Sequence, residues 1–213
     1  MTGDVIDLML EKLDLTQKVR LLSGTTTWRT ADMPAVEPRQ TVMSDGPAGV
    51  RGEEWDERRT SALLPSASAI GGLWDEGLGG PLASEAARKD GDIVLAPTLD
   101  LHRTPLGGRH FEHCSEDPEL TGRTGAALIR GIQAAGAVAT AKHHVANDSE
   151  TERMHVDVRV SERVLREVYP APFEAAVDAG VWLVMKDRPQ VADAGCAKSS
   201  ACRPPVPHAW TAR

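Results

Sequence analysis

The stretch DIVLAPTLDLHRTPLGGRHFEHCSEDP, residues 92–118, decides the fold. Its first part, Ile93 to Ala96, is a short apolar run rich in β-branched residues, which predicts a buried strand. Pro97 ends this run because it has no N–H to donate to a neighbouring strand. A long polar loop follows, in which two glycines let the backbone turn just before Arg109. A buried strand that delivers a polar loop is typical of the sites of parallel α/β proteins.

The rest of the chain extends this alternation on both sides. Amphipathic helices are predicted over residues 4–13 and 16–24, and residues 41–47 are predicted as a short strand followed by a turn. Helices are predicted at 66–74 and 76–90, and the strand 92–96 comes next. A helix over 117–136 and a strand at 137–142 follow, and then an exposed strand or hairpin at 156–160, a helix over 161–180 and a buried strand at 181–185. This order predicts an α/β fold whose parallel sheet is covered by helices. From the pattern alone, an open sheet and a barrel both remain possible.

Composition excludes several classes of protein. The 213 residues are enough for one domain or a large part of one, and the hydrophobic fraction of 41% is enough for a core. A net charge of −7 argues against nucleic acid and anionic membranes as partners. No apolar stretch reaches the ~18 residues of a membrane span, and the segment MTGDVIDLMLEKL is not typical of a signal peptide. Three cysteines, an odd number without metal-type spacing, favour a reduced, cytoplasmic protein. Nothing indicates an oligomeric state.

Candidate site residues follow the ends of separate predicted strands. Asp45 stands where the strand within 41–47 ends, before Gly46–Pro47. Arg109 lies in the loop after 92–96, and Lys142 and His143 stand at the C-terminal end of the strand 137–142. A carboxylate accepts from two neighbouring hydroxyls, and Arg and Lys donate several hydrogen bonds, so such a set suits a polyhydroxylated ligand. Each residue also has a purely structural interpretation. Asp45 is suited to a turn before Gly-Pro, Arg109 to a pair with an acid of its own loop such as Glu112 or Glu116, and the Lys142–His143 pair to a strand end.

Metal and phosphate sites are not expected. His110 and His113 are three residues apart, but no third ligand stands nearby in the pattern. The Gly107–Gly108 pair is not part of a phosphate-binding glycine motif. We therefore predict neither a metal nor a cofactor.

Three phrases resemble one family. PLGGRHFEHCSEDPELTG resembles the segment PLGGRGFESFSEDPYLSG that is typical of glycoside hydrolase family 3, the β-glucosidase-type family. MSDGPAGVRG resembles the SDGPNGVRG of that family, and TAKHHVAND resembles its TIKHFVAND, with His144 in place of an aromatic residue. The resemblance begins near Leu15 and ends near Met185.

This resemblance implies a fold and a set of site residues. The fold would be an incomplete (βα)8 TIM-barrel-like N-terminal domain. Asp45, Arg109, Lys142 and His143 would bind the substrate, and Arg153, eleven residues after Lys142, would be a further substrate contact. The implied activity is hydrolysis of terminal β-D-glucosyl residues from a β-glucoside or oligosaccharide, with retention of configuration and without a metal or cofactor.

Neither catalytic carboxylate is assigned. Retaining glycosidases need a nucleophile and an acid/base roughly 5–5.5 Å apart. In the family the nucleophile is an Asp in an SDW-type phrase and the acid/base comes from a separate C-terminal domain, whereas this chain has no SDW phrase. Asp187 and Asp193 stand in a different context.

The periodic pattern stops after VWLVM. Residues 186–213 contain four prolines and no usable periodicity, so the expected organisation is a partial barrel domain over 1–185 and an aberrant, disordered tail over 186–213. We accordingly expect a truncated chain that is inactive alone. Two alternatives stay open, namely a non-catalytic carbohydrate-binding module and a non-functional frameshift fragment.

Overall fold

The computed structural model describes residues 3–36, 39–54, 56–73, 79–153, 155–186 and 190–192. These residues fall into two compact units, one up to Val42 and one that begins at Met43. The first unit contains helices α1 (Gly3–Glu11) and α2 (Leu15–Leu21) and a 3-10 turn at Pro34–Val36. Asp14 caps α2, since its side chain accepts from the Gln17 N–H while the Gln17 side chain accepts from the Asp14 N–H. Leu13, Met33 and Val36 form a small buried cluster in this unit.

The second unit is built on a parallel sheet. Its described strands are β1 (Met43–Asp45), β2 (Ile93–Leu95), β3 (Val138–His144), β4 (Asp157–Arg159), β5 (Leu183–Lys186) and β6 (Gln190–Ala192). Four of them pair in parallel in the order β1-β2-β3-β5. Each crossover therefore moves one place in the same direction, as in a (βα)8 barrel, whereas an open doubly wound sheet reverses its order at a switch point. The predicted α/β fold with parallel strands of the barrel type is confirmed.

Five helices are described in this unit, at α3 (Ala67–Leu73), α4 (Gly79–Arg88), α5 (Pro118–Ala134), α6 (Glu162–Glu167) and α7 (Ala171–Asp178). Asp117 caps α5 by accepting from the N–H groups of Glu119 and Leu120 at 2.7 and 3.2 Å. The single helix predicted over 161–180 is wrong. Two helices form instead, because Pro170 has no N–H for a helical hydrogen bond and separates α6 from α7. Within the described residues, no helix has both the length and the apolar character needed to cross a membrane.

Small residues on the strands let the helices pack closely on the sheet. Ala96, Ala139 and Ala141 are fully buried, and the helices α4, α5 and α7 cover them. The helical side of this core consists of Leu82, Ala83, Ala86, Ile129, Ile132, Phe173 and Ala176. The helices α4 and α5 meet at two glycines, where a Cβ added to Gly131 would lie 2.7 Å from the Gly79 Cα.

The strand predicted at 181–185 is present but is not buried along its length. Val181 is fully buried, whereas Trp182, Leu183 and Val184 are 64%, 41% and 38% exposed. Among the described residues β5 pairs only with β3, so it forms an edge of the sheet. The expectation of a buried strand is wrong, because every residue of Leu183–Lys186 is at least partly exposed although the run is apolar.

The exposed strand predicted near residues 156–160 is present as β4. It pairs in parallel with β6, which falls inside the region predicted to be a disordered tail. Lys186, the first residue of that predicted tail, ends β5, whereas residues 187–189 and 193–213, which include Asp187 and Asp193, lie outside the described residues.

Candidate functional site

The carboxyl ends of β1, β2 and β3 bring the four strand-end candidates into one connected network. Asp45 is the last residue of β1, and Lys142 and His143 lie near the end of β3. Arg109 reaches the same place from the loop that follows β2. Side chains that follow neighbouring parallel strands meet in this way because those strands all end at the same edge of the sheet.

Lys142 is the centre of the network. Its Nζ lies 2.7 Å from Asp45 Oδ1 and 3.7 Å from Glu112 Oε2, and its side chain is only 2% exposed. A buried ammonium requires such partners, because desolvation without them would cost several kcal/mol. Asp45 is 41% exposed at its side chain and is thus the member of this pair that solvent or a ligand reaches. Burial acts to raise the pKa of Asp45, but the charge and hydrogen bond of Lys142 outweigh it and hold that pKa below its usual value.

Arg109 and Glu112 form a two-point ion pair. Arg109 Nε donates to Glu112 Oε1 at 2.6 Å and its Nη2 donates to Oε2 at 2.8 Å. Thr98 also donates to Oε2, at 3.2 Å. Burial acts to raise the pKa of Glu112, yet the hydrogen bond from Arg109 and the charge of Lys142 lower it overall. Glu112 therefore stays ionised and holds two cations in place.

His143 is held between Arg109 and Asp100. Its Nδ1 lies 2.8 Å from Asp100 Oδ2, and its Nε2 lies 3.2 Å from Arg109 Nη1. Because the carboxylate only accepts and the guanidinium only donates, Nδ1 carries the proton and Nε2 is the acceptor. Asp100 accepts two further hydrogen bonds, from the backbone N–H groups of His143 and Asn147. These contacts fix the ring of His143 in one orientation.

Lys142 and His143 point into the same network although successive strand residues normally face opposite sides. The pairing of β3 with β5 shifts its register between Lys142 and His144, an irregularity of the β-bulge type. A bulge redirects a side chain that regular pleating would send to the other face. This local departure from the strand explains how both residues join one site.

Arg153 lies at the outer margin of the network and contacts it through an intermediary. Its Nη1 donates to both carboxylate oxygens of Glu150, at 3.2 and 3.1 Å, and Glu150 Oε1 lies 3.6 Å from Arg109 Nη1. The side chain of Arg153 is 40% exposed. The structure thus places Arg153 beside the other four candidates without direct contact with them.

Asp100 is a site residue that the sequence analysis did not single out. Its side chain is only 1% exposed. The available signal was a lone carboxylate inside the otherwise apolar or small segment APTLDL, residues 96–101. An acid in such a run is either unfavourably buried or paired, and pairing is the usual outcome.

The network is suited to holding a polyhydroxylated ligand rather than to proton transfer. Asp45 offers an exposed, ionised acceptor, and Arg109 and Arg153 offer donors around it. The pKa values of Asp45 and Glu112 are both lowered, so neither group is a proton donor near neutral pH. Outside this network, His102, His110 and His113 lie together on the loop after β2, and we name them the histidine cluster.

Comparison with known proteins gives consistent results. Residues 51–202 match the model described as the glycosyl hydrolase family 3 N terminal domain. Beta-glucosidase B of Emericella nidulans is 44% identical over 176 residues, which cover 81% of this chain and 21% of that protein. A putative beta-glucosidase of Schizosaccharomyces pombe is 43% identical over 180 residues, covering 83% of this chain and 22% of that protein.

Solved structures agree with the curated relatives. The beta-glucosidase from Kluyveromyces marxianus in complex with glucose superposes with a TM-score of 0.84 and 35% identity, over 88% of this chain and 23% of that one. Beta-glucosidase 3B from Thermotoga neapolitana in complex with glucose gives a TM-score of 0.81 and 34% identity, over 88% of this chain and 30% of that one. The chain thus spans about a fifth of the curated relatives' length. Because the family model matches residues 51–202, well over half of the sequence, the chain belongs to glycosyl hydrolase family 3.

Proposed function

We propose that this chain supplies the sugar-binding part of a β-glucosidase-like glycoside hydrolase, which acts on terminal β-D-glucosyl residues of a β-glucoside or oligosaccharide. The observation that carries the proposal is the continuous network from Asp45 through Lys142, Glu112 and Arg109 to His143. Its position at the carboxyl ends of parallel strands is where (βα)8 proteins bind their ligands. The matches to two glucose complexes of beta-glucosidases support glucose as the sugar.

Each residue has a role that follows from its chemistry. Asp45 accepts hydrogen bonds from two adjacent sugar hydroxyls, since one ionised carboxylate has acceptor sites on both oxygens. Arg109 donates to hydroxyl oxygens. Lys142 and His143, whose side chains are only 2% and 8% exposed, lie behind Asp45 and Arg109 and meet the sugar when it displaces one of their present partners. Arg153, at the exposed margin, contacts the sugar or the group attached to it. Glu112 and Asp100 position these donors and do not themselves contact the sugar.

We infer that the 213-residue chain binds the sugar without cleaving it. Retaining hydrolysis requires one carboxylate as nucleophile and a second, protonated carboxyl as acid. Four acids, Asp45, Asp100, Glu112 and Glu150, each contact Lys142, Arg109 or His143. The pKa values of Asp45 and Glu112 lie below their usual range, which is opposite to what an acid catalyst needs. This observation also favours a second candidate function, a non-catalytic carbohydrate-binding module that uses the same residues.

Calorimetric titration of the purified chain with glucose tests the proposal. We expect saturable binding that Asp45→Asn weakens by about tenfold or more, because a charged hydrogen bond contributes roughly 1.5–3 kcal/mol. Asp157→Asn, which alters an acid on the exposed strand β4, is the matched control and should leave the affinity unchanged. Glucose affinity that is equal in the chain and in Asp45→Asn would remove Asp45 from the site.

Release of nitrophenol from an aryl β-glucoside separates the two candidate functions. Binding without release is the result expected for this chain by itself. Turnover by the chain that a substitution at Asp187 or Asp193 abolishes would show that the catalytic part of the proposal is wrong.

The cellular location is a further part of the proposal. We place the protein in the cytoplasm, on the grounds that the described cysteine, Cys114, is a free thiol and that the total of three is odd. The net charge of −7 supports a neutral sugar as ligand over nucleic acid or an anionic membrane. Retained thiol reactivity of Cys114 in the unfolded protein, measured without reductant, would agree with this placement.

A further inference from the structure

Three histidines that the sugar network does not use lie together on the loop after β2. His102 and His110 have ring centroids 4.6 Å apart, and the centroid of His113 lies 5.9 and 5.5 Å from theirs. One ring nitrogen from each residue can be chosen so that all three lie within 4.8 Å of one another. His102 is the third ligand that the spacing of His110 and His113 did not disclose, because the loop folds back on itself between residues 102 and 110.

Backbone carbonyls fix the proton positions on two of the rings. His110 Nε2 contacts the Thr104 carbonyl oxygen, and His102 Nε2 lies 3.3 Å from the His110 carbonyl oxygen. Since a carbonyl only accepts, each Nε2 carries the proton and each Nδ1 keeps its lone pair. A histidine that donates one ring N–H to a backbone carbonyl is the usual arrangement of a metal ligand, because it orients the ring and raises its basicity. His110 Nδ1 is buried and has no hydrogen-bond partner among the described residues.

His113 adds an observation that points independently to a missing partner. His113 is only 1% exposed. Within the described part of the chain, neither its Nδ1 nor its Nε2 has a hydrogen-bond partner. Leaving buried polar atoms unpaired costs roughly 1–3 kcal/mol per group, and native proteins rarely do so.

We propose that the histidine cluster, His102, His110 and His113, binds a divalent transition-metal ion of the zinc class. Three imidazoles without a carboxylate or thiolate suit Zn²⁺, Co²⁺, Ni²⁺ or Cu²⁺ and do not suit Mg²⁺ or Ca²⁺, which prefer oxygen ligands. Zn–N bonds of about 2.0–2.1 Å require nitrogens roughly 3.3 Å apart in a tetrahedral site. The present nitrogens lie within 4.8 Å of one another, so each ring has to move inward by at most about 1 Å. Water takes the fourth position.

The ion would connect two parts of the same loop. It would join His102, just after the buried segment 96–101, to His110, which begins the 3-10 turn His110–Glu112, and to His113, which follows that turn. Arg109 and Glu112 lie at the two ends of this turn and belong to the sugar network. The bound metal would therefore hold the backbone that presents these two residues, and it would take no part in bond cleavage.

The phrase PLGGRGFESFSEDP provides variants that are expected to fold. It aligns Gly with His110 and Ser with His113, so His113→Ser and His110→Gly each introduce a residue that relatives of this type carry at that position. The site is consequently a property of this chain and not of the family phrase. His155→Ala is the matched control, because His155 is an exposed histidine of the same unit that lies outside the cluster.

Metal binding is measured with Zn²⁺ by calorimetry and with Co²⁺ by visible absorption, after removal of metals with a chelator. The background variant carries Cys196→Ser and Cys202→Ser, so that these thiolates do not compete for the ion. We expect one Zn²⁺ per chain, a Co²⁺ spectrum of four-coordinate type and a higher Tm with metal. His113→Ser and His110→Gly each remove a metal ligand. Each should therefore weaken Zn²⁺ binding by more than the roughly 10–100-fold caused by loss of a residue that only hydrogen-bonds to a ligand.

Three results decide the outcome. Weakened binding in both cluster variants, with His155→Ala unchanged, supports the site. Equal Zn²⁺ affinity in the background chain and in His113→Ser overturns it, as does the absence of stoichiometric binding. Circular dichroism of the metal-free variants shows whether each has folded. If His113→Ser does not fold, the Zn²⁺ affinity of His110→Gly, which alters a partly exposed residue, is compared with that of the background chain instead. Glucose binding is measured separately, so failure of the metal site leaves the proposed sugar site standing.

Discussion

Lys142 Nζ lies 2.7 Å from Asp45 Oδ1, although the two residues are 97 positions apart in the sequence. Asp45 ends β1 and Lys142 lies near the end of β3, and these two strands are separated in the sheet by β2. The pair therefore spans the width of three strand ends above the sheet. It connects a nearly buried ammonium to a half-exposed carboxylate, and this difference in exposure makes Asp45 the group through which a ligand meets the network.

Asp45→Asn should lower the free energy of unfolding by about 1–2 kcal/mol. The variant leaves the buried Lys142 with Glu112, at 3.7 Å, as its remaining acid, and the partial exposure of Asp45 reduces the cost below that of a fully buried pair. Urea unfolding followed by circular dichroism measures the change. Asp157→Asn, which breaks an ion pair whose Arg159 side chain is 80% exposed, should cost under about 0.5 kcal/mol. Equal losses in the two variants would contradict the central place of the Asp45–Lys142 pair.

Asp148 should make the protein less stable as pH rises from about 4 to about 6. Burial, with the nearby Asp100, raises the pKa of Asp148 to about 6, against the hydrogen bond that its Oδ2 accepts from Tyr169 at 2.6 Å and the charge of Arg103. The folded state thus binds more protons than the unfolded state in this window, so the free energy of unfolding falls as pH rises.

Asp148→Asn tests this effect of pH, because the amide keeps an acceptor for Tyr169 and cannot ionise. The variant should lose most of that decline and gain about 1–3 kcal/mol relative to the parent chain at pH 7. Tm measured between pH 4 and 7 is the readout. Asp178→Asn, on the exposed face of α7, is the control. A parent chain whose Tm rises steadily across this range would show that Asp148 does not dominate.

Gly131→Ala should destabilise the protein by about 1–3 kcal/mol. The added methyl group would lie 2.7 Å from the Gly79 Cα, so α4 and α5 would have to move apart. Gly72→Ala is the matched control, since a Cβ there has no neighbour within 4 Å and helix propensity favours Ala by roughly 0.5–1 kcal/mol. Opposite signs in thermal unfolding are expected. A neutral Gly131→Ala would mean that the helices do not cross this closely.

The exposed edge at β5 should make the purified chain self-associate. Trp182 directly precedes β5 and is 64% exposed. Among the described residues β5 pairs only with β3, and such an edge can pair with another chain. Trp182→Lys should increase the monomer fraction in size-exclusion chromatography with light scattering. Leu106→Lys, at a loop residue that is 87% exposed, changes hydrophobicity without changing an edge and should have little effect. A sharp monomer peak of the parent chain at high concentration would contradict the prediction.

Elements with local signals could be predicted from the sequence. The cap of α5 is an example, because Asp117 and Pro118 act on the first turn of the helix that they precede. The break between α6 and α7 was missed even though its cause, Pro170, is local, since the apolar periodicity continues on both sides of it. The exposure of β5 was missed for a different reason. An apolar run predicts a strand, but only the elements packed on its two faces determine whether its side chains are covered.

By itself, the sequence determined the alternation of strands and helices and the residues that end each strand, since both depend on interactions over a few positions. Only the tertiary structure decided which charges meet. Asp100 contacts His143 from 43 positions away and Lys142 contacts Asp45 from 97, separations at which no local pattern applies. The same holds for the histidine cluster. The sequence spacing shows only His110 and His113 close together, and the folded loop brings His102 to them. Buried charges and polar rings find partners through the packing of the sheet, and that packing is a property of the whole fold.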